Sequence, residues 1–439
     1  MSETKSMKSF FVPAFTNVGD NLVNKTRGDR VIWAMVIILT LASLLLVYSS
    51  TGSLAYRMSK STESYLFKQF AFIILGLIII YFAHRINYKI YSKVAIVLFL
   101  ISVPLLLYTL FFGVQLNEGS RWIKLPVINQ TIQTSDLAKL ALFMYMSRQL
   151  SRKQKVIKDF RKGFLPIIIP VAVICLLIAP ANLSTAILIA GTSFLVMFIG
   201  RVSTKHIGIT MAIAMIPVVM LIAIAVNSYD KTTGETKKLP SIIAAGRIPT
   251  WVSRIQTFLY SNKNDDNEKL YQINQAKIAI AKGGWFGVGP GNSEQRNFLP
   301  HSYSDFIYAI IIEEYGLVGG TVMILIYLVF LYRCIRIYKK CPYAFGAFLA
   351  LALSFTLVIQ AIANMGVNVN LFPNTGVTLP LVSMGGSSFL FTCMSIGIIL
   401  SVSRNVEKQE GQEAAIKTRE LELAAEAEAV KEEEVAEMA

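Results

Sequence analysis

The residues with the greatest chemical capacity lie between Gly287 and Gly320, in GVGPGNSEQRNFLPHSYSDFIYAIIIEEYGLVGG, where a glycine-rich polar loop enters an apolar segment carrying Asp305, Glu313 and Glu314. A carboxylate facing lipid is costly, so these acids are expected to face a protein interior or a watered cavity. Asp305 stands where water, substrate and membrane meet, which is a setting for a general base whose pKa partial burial can tune. Glu313 and Glu314 fit a site and an internal pairing with basic groups equally well. Glycines at 283, 284, 287, 289 and 291 allow tight turns or close approach of a ligand. The run lacks the Gly-Lys-Ser/Thr ending of a P-loop and follows no strand, so a nucleotide loop of that kind is excluded.

The elements that must position these acids are membrane helices. Of 439 residues, 54% are hydrophobic and 16% charged, with a mean hydropathy of +0.54. About ten apolar runs of spanning length recur between residues 31 and 402. The expected fold is an all-α polytopic membrane protein with about ten transmembrane helices and a long outward loop, 227–304, between spans seven and eight. The fourth run, 134–150, is the weakest because it opens TSDLAKL, and the eighth, 306–338, is too long for one span, so its first turns are expected to approach the membrane as a partly buried polar helix.

Seven basic residues between Arg148 and Lys162 make that loop cytoplasmic, which puts both termini on the same side. The expected organisation is a cytoplasmic tail over 1–30, a membrane domain over 31–404 and an acidic cytoplasmic tail over 405–439, with eleven Glu against four basic residues in the last. The net charge of +15 is split among short loops beside apolar spans, where it attracts anionic lipid and fixes topology; no nucleic-acid motif accompanies it. The four cysteines imply no disulfide framework, and the three histidines show no zinc spacing.

Several polar clusters share the outward side. NEGSRWIKLP carries Glu118, Arg121 and Lys124, APANLSTA carries Asn182, and the outer loop carries Arg247 and Arg254 among aromatics, followed after Glu268 by an amphipathic stretch expected to lie on the outer membrane surface. The segment NMGVNVNLFPNTGVTLPLVSMGGSS adds a Pro- and Gly-broken start to the last span, with Ser383 and Ser387. Broken backbone at membrane depth is tolerated where it lines a cavity or is buried in protein. Its small residues serve close helix packing as readily as ligand contact.

On LPHSYSDFIYAIIIEEYG, PNTGVTLPLVSMGGSS, NEGSRWIKL followed by QTSDLAKL, and GGWFGVGPGNS, the chain resembles the SEDS family of polytopic membrane glycosyltransferases, which includes FtsW and RodA, over roughly 30–404. AGRIPTWVSRIQTFL and the first span look more like the FtsW branch. The resemblance implies polymerisation of lipid II, an undecaprenyl-pyrophosphate-linked disaccharide-pentapeptide, at the outer face of the cytoplasmic (inner) membrane, at the division septum. It implies Asp305 as the essential acid, and Arg121, Lys124, Arg247, Arg254 and Arg296 as outward cations for the leaving pyrophosphate. Asn182 stands where the family has a second acid, Thr375 where FtsW-like proteins often have Lys, and Ser293, Ser383 and Ser387 complete the implied substrate contacts. The acidic and imidazole partners of the motif acid are replaced or displaced in Leu299–Asp305. No cofactor is called for, and a divalent cation remains open. The implied partners are a class B penicillin-binding protein transpeptidase, other divisome proteins and membrane lipids, with no nucleic acid. A lipid-linked-precursor transporter or a noncatalytic division scaffold would share many of these features, although no inverted repeat supports alternating access.

Overall fold

The computed structural model describes residues 28–52, 61–116, 119–124, 131–229, 247–260 and 268–437. Glu118, the stretch up to residue 27 and much of the long outer loop lie outside the described residues. The described chain forms twelve helices and a small sheet. In order these are α1 (Arg30–Ser50), α2 (Thr62–Arg85), α3 (Tyr88–Phe112), strands β1 (Val114–Leu116), β2 (Gly119–Lys124) and β3 (Thr131–Gln133), α4 (Thr134–Arg152), α5 (Leu165–Ile178), α6 (Leu183–Ile199), α7 (Thr204–Asn227), α8 (Ile248–Leu259), α9 (Glu268–Gly283), α10 (Ile307–Lys340), α11 (Ala344–Asn368) and α12 (Ser387–Glu437).

Polar residues in the short turns start several helices by satisfying first-turn N–H groups. Asp29 accepts from Val31 and Ile32, Ser61 from Ser64, Asn87 from Lys89, and Asn182 from Thr185. Among the described residues, eight helices are long and apolar enough to cross a membrane, α5 among them once the helical turn Phe160–Phe164 that runs into it is included. Two more sit where the fourth and sixth runs were expected: α6 is apolar but shorter, and α4 is more polar. The weakness of α4 as a span has a packing cause. It is buried on nearly every side, from Leu140, Leu142 and Phe143 to Met144 and Met146, so protein rather than lipid surrounds it.

Between α3 and α4 the chain forms an antiparallel three-stranded sheet in the order β1-β2-β3, with Trp122 opposite Gln133. The helical periodicity that dominates the chain gave no sign of it. It carries Arg121 and Lys124 at one end of the bundle.

The eighth run is not one helix with a polar start. Its first turns, Ile307 to Glu314, are fully buried, and the helix breaks at Gly316, where φ is 69° and ψ is −172°. A break there frees the carbonyls of Glu313 and Glu314 and the N–H groups of Leu317 and Val318. The glycine-rich loop takes up all four: Val288 and Gly289 donate to Glu313 and Glu314 at 2.9 and 3.0 Å, and Leu317 and Val318 donate to Gly284 and Trp285 at 2.9 and 3.2 Å. Two backbones this close leave no room for side chains. A Cβ at Gly287 would overlap the Glu314 carbonyl, and one at Gly316 the Trp285 carbonyl. These two glycines therefore serve a backbone splice rather than the approach of a ligand.

Glu313 and Glu314 belong to the same joint. Glu313 accepts from the Ser293 hydroxyl and from the backbone of Glu294 and Gln295 at 3.2 and 3.3 Å, and Glu314 accepts from the Ser49 hydroxyl. Helix α9 also departs from expectation. Leu270, Ile273, Ala276 and Ala279 are buried, and the two alanines pack with Leu299, Phe306, Ala309 and Ile310. One face of the helix packs against α10, while Tyr271 and Ile278 on the other face stay exposed. At the opposite end of the bundle the Asp29 carboxylate bridges to Arg333 at 2.6 Å, and Ser403 accepts from the Asp29 N–H, tying α1, α10 and α12 together. Helix α12 continues without interruption through the acidic segment to Glu437.

Candidate active site

Asp305 occupies a tight turn just ahead of α10, and two elements hold the backbone of that turn. On α11, Asn364 and Asn368 lie four residues apart on one face, and both side-chain amides donate to the Asp305 carbonyl at 2.9 Å. Asn364 also donates to Val377 O at 2.7 Å, and Asn368 accepts from the Ala309 N–H at 3.0 Å, so the same pair positions the 374–378 loop and the start of α10. From the broken segment before α12, Ser383 donates to Ser304 O at 2.6 Å and accepts from Leu379 N, while Met384 N donates to Tyr303 O. Gly376, at φ 64°, passes close to the carboxylate; a Cβ there would sit 3.5 Å from Oδ2.

The carboxylate faces a cavity of about 730 Å³ at one end of the bundle, within the size range of ligand sites. Burial pushes the Asp305 carboxyl above the ordinary range, and His301, a hydrogen bond from Ser304, Arg121 and Arg254 partly offset this. The two arginines are held from behind. Arg121 on β2 donates through Nε to Ala181 O at 2.8 Å, and Arg254 on α8 donates to Asn374 O at 3.1 Å. Helix α8 is itself docked on the outer end of α7, where Gln256 donates to Ala225 O at 2.9 Å. The arrangement brings Asp305 and two guanidinium groups to a single chamber whose lining also includes the apolar Phe72, Leu188 and Ile189. Such a chamber suits a ligand that is both anionic and greasy.

Of the residues expected from sequence, Asp305, Arg121, Asn182, Arg254 and Ser387 line this cavity. The others lie off it. Lys124 is exposed at the end of β2, and Arg247 donates to Ala181 O, the carbonyl that also orients Arg121. Ser293 is buried on Glu313, Arg296 donates to Ser49 O at 2.9 Å, and Ser383 is taken up by the Asp305 turn. The Thr375 hydroxyl is buried between two lining residues, Asn374 and Gly376. Gly385, Gly386 and Ser388 also line the cavity.

The sequence reading missed Lys68, Asp136, Lys139, His301 and Gln360, all of which line the cavity. A signal existed for two of them, since Asp136 and Lys139 are an i,i+3 charge pair inside an apolar run. Among the described residues no group of three or more His, Cys, Asp or Glu is arranged to hold a metal ion.

Among the described residues, eight apolar helices of spanning length and a cation-flanked chamber around the half-buried Asp305 carboxylate at one end of the bundle define an integral membrane protein with a polar internal cavity. Comparison with known proteins identifies the family. Residues 29–408 match the model of the cell cycle protein family of FtsW, RodA and SpoVE, and the chain belongs to it. It is 30% identical over 383 residues to the probable peptidoglycan glycosyltransferase FtsW of Trichlorobacter lovleyi, covering 86% of this chain and 94% of that one. It is 32% identical over 386 residues to stage V sporulation protein E of Bacillus subtilis, covering 87% and 98%. Its fold matches a chain in a solved structure concerning coordination of polymerization and crosslinking by a peptidoglycan synthase complex, with a TM-score of 0.66, 20% identity and coverage of 86% and 98%.

Proposed function

We propose that this protein is a peptidoglycan glycosyltransferase that polymerises lipid II at the outer face of the cytoplasmic membrane, in septal wall synthesis. The observation that carries the reading is Asp305, its turn held by α11 and by the segment before α12, facing a chamber that it shares with Arg121 and Arg254. Asp305 accepts the proton of the acceptor GlcNAc 4-hydroxyl as that oxygen attacks the anomeric carbon of the donor MurNAc. The bond to the lipid pyrophosphate breaks, and the two guanidinium groups balance the charge that develops on the leaving group. A second carboxylate is not needed, because pyrophosphate leaves readily. Burial that raises the Asp305 pKa brings its basicity closer to neutral pH, as a base requires.

In this reading the helices make ten crossings with both termini cytoplasmic, supported by the basic loop between Arg148 and Lys162. The membrane domain spans 31–404, between cytoplasmic tails. Its partner is a class B penicillin-binding protein transpeptidase, a reading supported by the fold shared with a chain of a peptidoglycan synthase complex. The test is purified protein in nanodiscs given lipid II with and without that partner. Glycan polymer from wild type and none from Asp305→Asn is expected. Movement of labelled lipid II across a liposome bilayer without polymer would instead favour a transporter.

A further inference from the structure

The cavity is electrically divided. Around Asp305 it is rich in cations, but on the α4 side it is lined by a neutral pair that the proposed chemistry does not use. Asp136 and Lys139 bridge at 3.3 Å, and Lys139 also donates to Gln360 Oε1 at 2.9 Å. Gln360 is anchored in turn by its amide on Thr378 O at 3.0 Å. An ammonium has three N–H groups, and these contacts use two of them. Asp136 is only 5% exposed, and its second oxygen, Oδ2, has no hydrogen-bond partner. An unmet acceptor of that kind is costly unless a ligand or water meets it.

We propose that Asp136, Lys139 and Gln360 form a subsite for an uncharged saccharide group, its hydroxyl or N-acetyl functions, distinct from the cationic end that takes the pyrophosphate. The proposal rests on the glycosyltransferase reading and deepens it. The third N–H of Lys139 and the enclosed, unpartnered Oδ2 of Asp136 supply one donor and one acceptor within a pair of no net charge, which matches a sugar hydroxyl or amide and not a phosphate. The location fits the same ligand. Gln360, which accepts from Lys139, stands one turn, about 6 Å, before Asn364, a residue that holds Asp305, on the same helix. One lipid-linked sugar can therefore reach both ends of the chamber. Lys139 and Gln360 fix each other, and Gln360 fixes the Thr378 loop, so the subsite is rigid before the ligand arrives.

The test compares two lipids on the same sample of full-length protein in nanodiscs: lipid II, and undecaprenyl pyrophosphate, which lacks the sugars. The readout is the ratio of their dissociation constants, which does not change if part of a variant fails to fold. Lys139→Met should weaken lipid II by on the order of tenfold, as for one charge-assisted hydrogen bond, and leave undecaprenyl pyrophosphate within twofold. The double variant Asp136→Asn with Lys139→Met, which keeps the buried charge balanced, should behave alike. Arg121→Ala should weaken both lipids together. An unchanged ratio in both Lys139 variants, with wild-type binding intact, would overturn the subsite alone. Wild type that binds neither lipid would overturn the enzyme reading and the subsite with it.

Discussion

Helices α11 and α7 have almost the same length, 25 and 24 residues, and both are apolar enough to span a bilayer, yet 83% of the most apolar stretch of α11 is buried against 6% in α7. What separates them is not hydropathy. Helix α11 carries Gln360, Asn364 and Asn368 at successive i,i+4 positions and small residues such as Ala347, Ala350 and Ala361 that admit neighbouring helices closely. Helix α7 has only Ile207 and Ala225 buried, near its two ends, and presents its middle to lipid. Apolar length says that a helix crosses; a polar stripe with small residues says that it crosses inside the protein and organises a site.

Changing the residue that α11 holds should have the largest effect. Asp305→Asn keeps the shape of the side chain and removes the base, so polymerisation of lipid II should fall about a hundredfold to ten-thousandfold. A drop of only severalfold would make Asp305 an orienting group. The pH dependence has a definite sign. Because the folded carboxyl is raised, catalysis should fail as pH drops through a value higher than for an ordinary aspartate, visible in a pH-rate profile. For stability, the raised pKa favours the folded state below the unfolded value, and that contribution is lost as pH rises through the folded one. Asp305→Asn should therefore unfold at or above the wild-type temperature at neutral pH.

Next in size is Arg121→Ala, expected to reduce polymer formation more than tenfold, with Arg121→Lys recovering only part because a point charge lacks the planar fork. Full activity in the alanine variant would leave Arg121 as a packing and topology charge. A smaller effect is expected from Asn364→Leu. It leaves one of the two donors to Asp305 O and strips Val377 O of its partner, at about 1–3 kcal/mol for a buried unmet group, measured by thermal unfolding in detergent. Activity should fall with it, because the acid is no longer fixed from two sides. The smallest effect sharpens the contrast from the other helix: Ile213→Ala, on the lipid face of α7 and 60% exposed, should shift stability by less than about 0.5 kcal/mol. A shift near that of Asn364→Leu would mean that α7 is covered by protein.

The same division governs how much of the site was legible. Asp305, Arg121, Asn182, Arg254 and Ser387 stood out as polar residues at the ends of apolar runs, and they line the cavity. Arg247 stood out as a loop cation, and Arg296 and Ser293 were implied by the resemblance, but all three lie off it, because a polar group near a membrane surface can be spent on a backbone carbonyl or a neighbouring acid. Asp136 and Lys139 were passed over because they lowered the apolar score of α4, and a weak span was the easier explanation. Burial of α4 on all sides removes that explanation.

The sequence by itself determined that the chain crosses the membrane many times, since backbone in lipid must be satisfied within helices and the apolar runs have the required length. It also determined that Asp305 is an expensive acid in need of a reason. Tertiary structure decided which cations Asp305 meets, that the glycine loop splices the break at Gly316, and that Asp136 and Lys139 share the same chamber. The physical reason is range. Hydropathy and capping act within a few residues, whereas the contacts that build the site join segments such as α4, α11 and the Asp305 turn, which are far apart in the chain and meet only when the helices pack.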